Sequence, residues 1–165
     1  SLERVLVKNP MIKSAQVYYS LDGYIHVNIQ QREPVLRVLT GEGYYVDRDG
    51  RVMPLSSKFT SRVVVATGDI NKKFACEKLG PFAMKLKNEP FWDAYIEQLV
   101  VRSNEDVVMI PKVGDFRIVL GKVDDCDARL EKLILFLKDG ITKKGWNRYK
   151  EINLKFDNQV VCVRK

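Results

Sequence analysis

The chain has 165 residues, room for one domain or two small ones. With 45% apolar and 30% charged residues it has an ordinary globular composition, and no apolar run approaches the ~20 residues of a membrane helix. The net charge is +7, and positions 138–165 carry eight Lys/Arg against three Asp/Glu, a net +5. That basic end favours an acidic partner, an anionic surface or nucleic acid, although much of it serves as solvated surface. Cys76, Cys126 and Cys162 are odd in number, far apart and in no CxxC, so they indicate neither a disulfide framework nor a zinc site.

Leu2, Val5 and Leu6 stand at helical spacing, and Asn9-Pro10 stops that helix. The chain opens without an initiator Met and already in this pattern, which reads as a piece excised from a longer protein. A strand is expected over 15–21, a hairpin turn at Asp22-Gly23, and a returning strand over 24–30 with Ile25, Val27 and Ile29 on one face. Pro34 cannot donate to a ladder, so Gln31-Arg32-Glu33-Pro34 interrupts the sheet. One helix and two strands bury too little to stand alone.

A second hairpin follows. Strands are expected at 35–38, 44–47 and 51–54, with a turn at Arg48-Asp49-Gly50. Val63-Val64-Val65-Ala66 reads as a short buried strand closed by Thr67-Gly68, and 74–87 as a mixed segment that Gly80-Pro81 breaks. Pro90 opens a short helix carrying Phe91, Ala94 and Tyr95, and strands are expected at 98–102, 107–111 and 116–120. The strongest helix pattern spans 125–138, with acidic residues at its start, Leu130, Leu133, Ile134 and Leu137 on one face, and Gly140 beyond its end. The chain closes on alternating Ile152, Leu154 and Phe156, a turn at Asp157-Asn158-Gln159, and a strand at 160–163 that is apolar on both faces. Only Arg164 and Lys165 protect that last strand, which makes it a candidate docking edge. The expected class is α+β: a helix plus β-hairpin, then a mixed or antiparallel sheet with packed helices.

Catalytic chemistry is not expected. His26 is the only histidine and reads as an outward strand residue, so no Ser-His-Asp or Cys-His site can be built without it. An EF-hand loop counted from Asp47 requires Gly at 52 and Glu at 58, where the chain has Val52 and Lys58, so a turn is the better reading. Asp124, Asp125 and Asp127 have a sufficient reason at a helix start. The glycines form no phosphate or dinucleotide loop. Positions 143–150 interleave basic and aromatic residues as single-strand binders do, but a surface loop packing Trp146 is favoured over nucleic-acid binding. No cofactor, metal or small-molecule substrate is expected.

Several short blocks resemble the extracytoplasmic region of the bacterial cell-division family FtsQ/DivIB. They are Asn9-Pro10-Met11-Ile12 with Val17, Ile29-Gln30-Gln31-Arg32-Glu33-Pro34-Val35, Tyr45-Val46-Asp47 with Asp49-Gly50, Leu120-Gly121, the helix at Arg129-Leu130, and Ile152-Asn153-Leu154-Lys155-Phe156. The resemblance implies a truncated POTRA domain over 1–38 and the family's β domain over 39–165. It further implies a single-pass protein of the cytoplasmic membrane, anchored by an upstream helix, with this region on the periplasmic side. Its role there is a non-enzymatic divisome scaffold that holds FtsB/DivIC and FtsL. Where the family usually has Asp and Arg-Tyr, this chain has Asn153 and Lys155-Phe156, which keeps a charge but loses the bidentate guanidinium. The binding residues so implied are Lys155, Phe156, Val160, Val161, Cys162 and Val163, with a partner strand added along the edge. The alternative is a POTRA-type chaperone or translocation module that holds client strands.

Overall fold

The computed structural model of the chain describes residues 1–58, 60–138, 148–156 and 159–165. Gly140, the basic and aromatic stretch at 143–147 and the turn residues 157–158 lie outside the described residues.

Helix α1 (Leu2–Val7) starts at Ser1, whose hydroxyl accepts from the Arg4 N–H, and gives way at Asn9-Pro10. Strands β1 (Ile12–Tyr19) and β2 (Ile25–Gln31) pair antiparallel around the Asp22-Gly23 turn. β1 begins earlier than its apolar pattern suggests, because its first residues pair with Gln30 and Gln31 rather than with apolar partners. This two-stranded sheet stands apart from the rest, and β2 is exposed along its whole length. His26 lies on it, exposed, with its ring stacked on Tyr18 at 4.8 Å.

Among the described residues, the strands after Glu33 form one nine-stranded sheet, in the order β11-β10-β9-β8-β7-β6-β3-β4-β5. Its strands are β3 (Pro34–Val38), β4 (Tyr44–Asp47), β5 (Val52–Pro54), β6 (Val64–Gly68), β7 (Ile96–Val101), β8 (Val107–Pro111), β9 (Arg117–Gly121), β10 (Tyr149–Asn153) and β11 (Val161–Arg164). The sheet takes in residues 34–38, which lie before the boundary at 38 that the resemblance implies. Pro34 opens β3, the one position in a strand where its missing donor costs least. Three pairings are parallel, β3 with β6, β6 with β7 and β9 with β10. A parallel pair requires a crossover, and helices supply it in two of these cases.

The β6-to-β7 crossover is a helical layer: α2 (Lys72–Phe74), a π-helical turn (Ala75–Leu79), α3 (Gly80–Asn88) and α4 (Pro90–Tyr95). Gly80-Pro81 therefore does not break the segment as its sequence suggests. The Gly80 N–H bonds the Ala75 carbonyl five residues back, and this widened turn accommodates Pro81, which has no N–H to place in the ladder. The β9-to-β10 crossover contains α5 (Asp127–Phe136), which starts two residues later than the 125–138 pattern and continues as π-helical backbone at 137–138. Lys78 pairs with Asp124 and Lys85 with Asp127, at 2.7 and 2.6 Å, tying the two parts of the layer together. These pairs give the acidic start of α5 a use that involves no cation site.

Phe74, Leu79, Phe82, Leu86, Trp92, Leu130, Leu133 and Leu137 pack from the helices onto one face of the sheet. There they meet Leu36, Ala66, Leu99, Met109, Ile118, Ile152 and Leu154. Tyr45, Met53, Val108 and Val119 alternate with these residues; they are buried but stand outside that cluster, on the opposite face.

Candidate partner-binding edge

β11 ends the sheet; β10 bonds one side of it, and among the described residues no strand lies on the other. Its register is Asn153 with Val161, Ile152 with Cys162, Glu151 with Val163 and Tyr149 with Arg164. The Lys165 N–H donates to the Arg148 carbonyl at 3.1 Å, which makes Tyr149 and Arg164 a non-hydrogen-bonded pair. The alternation follows: the main-chain groups of Val161 and Val163 face β10, and those of Cys162 and Arg164 face outward. A register shift between Tyr149 and Glu151 is a bulge in β10 and leaves this alternation in β11 intact. Side chains alternate as well. Cys162 stands beside Ile152 on the helix-covered face and packs against the core, as does Val160, while Val161 and Val163 lie half-buried on the other face.

The far edge of the same sheet is closed by contrast. β5 has three residues and ends on Pro54, and the outward Val52 carbonyl accepts from the Arg32 guanidinium at 3.1 Å. Short length, proline and a covering side chain are the usual protections of an edge. On β11 only charge at the C-terminal end plays that part.

The turn into β11 is anchored from below. Lys132 on α5 donates through Nζ to the carbonyls of Phe156 and Gln159, at 3.1 and 2.9 Å. β10 ends at Asn153, so the expected alternation holds through buried Ile152 and Leu154 and stops before Phe156. The Phe156 side chain, 50% exposed, stands at the corner where β11 begins.

Lys155, expected to face an acidic partner residue, is paired within the chain while its side chain stays exposed. Its Nζ lies 2.7 Å from Asp106 Oδ2, and Lys122 Nζ lies 3.6 Å from the other oxygen of that buried carboxylate. Asn104 Nδ2 also donates to Asp106, at 3.0 Å. The Lys155 hydrogen bond above all holds the Asp106 carboxyl below its usual range, against the opposing effect of burial. The stem of Lys155 crosses Gly121, whose φ of 89° no side chain adopts easily; a Cβ there would stand 3.0 Å from Lys155 Cγ. Arg129 grips the same corner, donating to the carbonyls of Leu120, Lys122 and Asp124.

Of the residues expected at the site, Val161, Cys162 and Val163 form the edge strand, Val160 leads into it, and Phe156 and Lys155 stand at its entry. The sequence alone assigns no role at this corner to Asp106, Arg129 or Lys132. The last two were findable as cations three apart on α5, hence on one side of it. Asp106 looks in sequence like any turn residue after Asn104. Burial pushes the Cys76 and Cys126 thiols up. Among the described residues no group of three or more His, Cys, Asp or Glu could hold a metal ion, and no helix is long and apolar enough to cross a membrane.

Compared with known families, residues 33–163 match the family described as FtsQ/DivIB, C-terminal related. No curated protein matches the chain.

Proposed function

The chain belongs to the FtsQ/DivIB C-terminal related family of cell-division proteins, and from that premise we propose a non-enzymatic scaffold that binds the FtsB/DivIC and FtsL pair by strand addition along β11. The observation that carries this reading is the asymmetry of the two sheet edges: β5 is closed by Pro54 and Arg32, whereas β11 offers outward main-chain groups. A partner strand bonded there would gain register from the backbone and specificity from alternate side chains. Val161 and Val163 would receive them on one face, with Phe156 at the entry. The region would work on the extracytoplasmic side of the cytoplasmic membrane, where this family's anchored members act.

The test uses proline on the edge. Arg164→Pro removes an outward donor and spares the bonds to β10, so the variant should fold and bind a purified FtsB/DivIC ectodomain more weakly by calorimetry. Val161→Pro removes an inward donor opposite Asn153 and should lower thermal stability first. Parent-like binding by a folded Arg164→Pro chain would move the interface away from this edge.

A further inference from the structure

On the face opposite the helical layer, beside the C-terminal end of β11, lies a groove of about 810 Å³. Ile110 and Val163 give it an apolar floor beside Gly114 and the core residue Phe116, and Asp115, Arg117, Lys150, Glu151 and Lys165 charge its walls. The two carboxylates are already engaged: Asp115 pairs with Lys165 at 3.3 Å, and Glu151 lies 4.0 Å from Arg102. Arg117 and Lys150 have no acidic partner among the described residues, and Arg148 and Arg164, equally without one, flank the same corner. Elsewhere the sheet's neighbouring cations are mostly committed, Lys122 and Lys155 to Asp106 and Arg129 and Lys132 to carbonyls. The surplus of positive charge is therefore local, and it adjoins the end of the strand whose outward main-chain groups face solvent.

We infer that this groove is a second contact for the protein that adds a strand to β11, and that it takes an acidic segment with apolar side chains flanking the added strand. The inference rests on the strand-addition reading. Two features select a peptide over other anions. The groove is continuous with a backbone edge, which bonds a polypeptide main chain. Its floor is apolar, which suits side chains between carboxylates better than a phosphate backbone or a lipid headgroup. Arg117 and Lys150 would meet the carboxylates at the rim, governing association rate and salt dependence more than the lifetime of the complex.

The experiment compares two variants of the full chain against the purified FtsB/DivIC ectodomain, by calorimetry at low and at physiological salt. Arg117→Glu with Lys150→Glu should weaken binding about tenfold at low salt, the sum of two exposed ion pairs, and the loss should shrink as salt rises. Thermal unfolding checks the fold, and Arg117→Gln with Lys150→Gln repeats the test if the reversal unfolds it. Parent-like binding by the charge variants while Arg164→Pro binds weakly overturns the groove contact and leaves the edge in place. Parent-like binding by Arg164→Pro overturns the edge and this inference with it. As probes of the other anions, a single-stranded oligothymidylate and vesicles containing phosphatidylglycerol are titrated at the same salt. Tighter binding of either than of the ectodomain, lost in the charge variants, overturns the assignment to a peptide.

Discussion

The Arg32 guanidinium reaches Asp47 across the junction between the β1–β2 hairpin and the large sheet, Nε to Oδ2 at 2.7 Å. Its two other nitrogens bond the carbonyls of Pro10 and Val52, at 2.9 and 3.1 Å, so one side chain joins α1's exit, the hairpin's end and β5. Asp47 is buried, and its second oxygen accepts from the N–H groups of Asp49 and Arg51, closing the β4–β5 turn where Gly50 takes a φ of 78°. Lys13 to Asp49 and Glu33 to both Arg48 and Lys87 add exposed pairs across the same junction. The exposed pairs contribute little each; the buried one governs.

Arg32→Ala should therefore cost about 3 kcal/mol of stability, because it leaves the Asp47 carboxylate buried without its cation. Arg32→Lys should not restore it, since an ammonium cannot reach three acceptors in a planar fork. Urea denaturation measures the loss. Amide exchange should show its origin: residues 12–31, on a two-stranded sheet with an exposed β2, exchange faster than 107–120 in the parent and faster still in Arg32→Ala. Equal protection of the two regions would mean that the hairpin is held by contacts other than these.

On α5, Leu133 is fully buried and Leu135 is 64% exposed. Leu133→Ala should cost about 2–5 kcal/mol, and Leu135→Ala less than about half a kcal/mol. Similar losses at both positions, read from denaturant midpoints, would show that α5 does not present its Leu130, Leu133 and Leu137 face to the sheet.

Local signals carried most of this architecture. Asp22-Gly23 and Asp49-Gly50 each need backbone that few residues adopt, so both hairpins were legible where they occur, and the spacing of Leu130, Leu133 and Leu137 fixed the buried face of α5. What was not legible joins residues far apart. Lys155 finds Asp106 across 49 positions, and nothing near either residue announces the other. The π-turn before Pro81 was hidden for a similar reason: glycine and proline together signal a break, and only packing of Gly80 against Val46 of β4 makes continuation worthwhile. The edge status of β11 was legible in part, from the weak protection of its end. That β5 would be the closed edge was not, because its cover comes from Arg32.

The Asp106 pair gives a pH dependence with a definite sign. The folded carboxyl sits below its ordinary value of 3.8, so its contribution to stability is fully present above that value and is lost as pH falls through the folded pKa. Asp106→Asn should be less stable than the parent at pH 7, and the gap should narrow as both are acidified below about pH 4. Chemical denaturation at a series of pH values tests this; a gap that stays constant would show that Asp106 acts through its shape and not its charge.

The final prediction separates the two residues at the entry to β11. Lys155 and Phe156 are adjacent in sequence and both exposed, yet Lys155 is ion-paired within the chain and the Phe156 ring is not. Lys155→Glu sets a second carboxylate against Asp106 and removes a charged hydrogen bond, so it should cost on the order of 2 kcal/mol of stability. Any loss of partner affinity in that variant then mixes a damaged corner with a lost contact. Phe156→Ala removes a half-exposed ring while its backbone carbonyl remains bonded to Lys132, so its stability cost should stay below about 1 kcal/mol. If the partner buries that ring, the affinity for a purified FtsB/DivIC ectodomain should fall by roughly 1.5–3 kcal/mol, more than tenfold. Thermal melts and calorimetry on the same preparations distinguish the two cases. An unchanged affinity for Phe156→Ala, with Arg164→Pro binding weakly, would confine the contact to the strand itself and leave its entry corner outside.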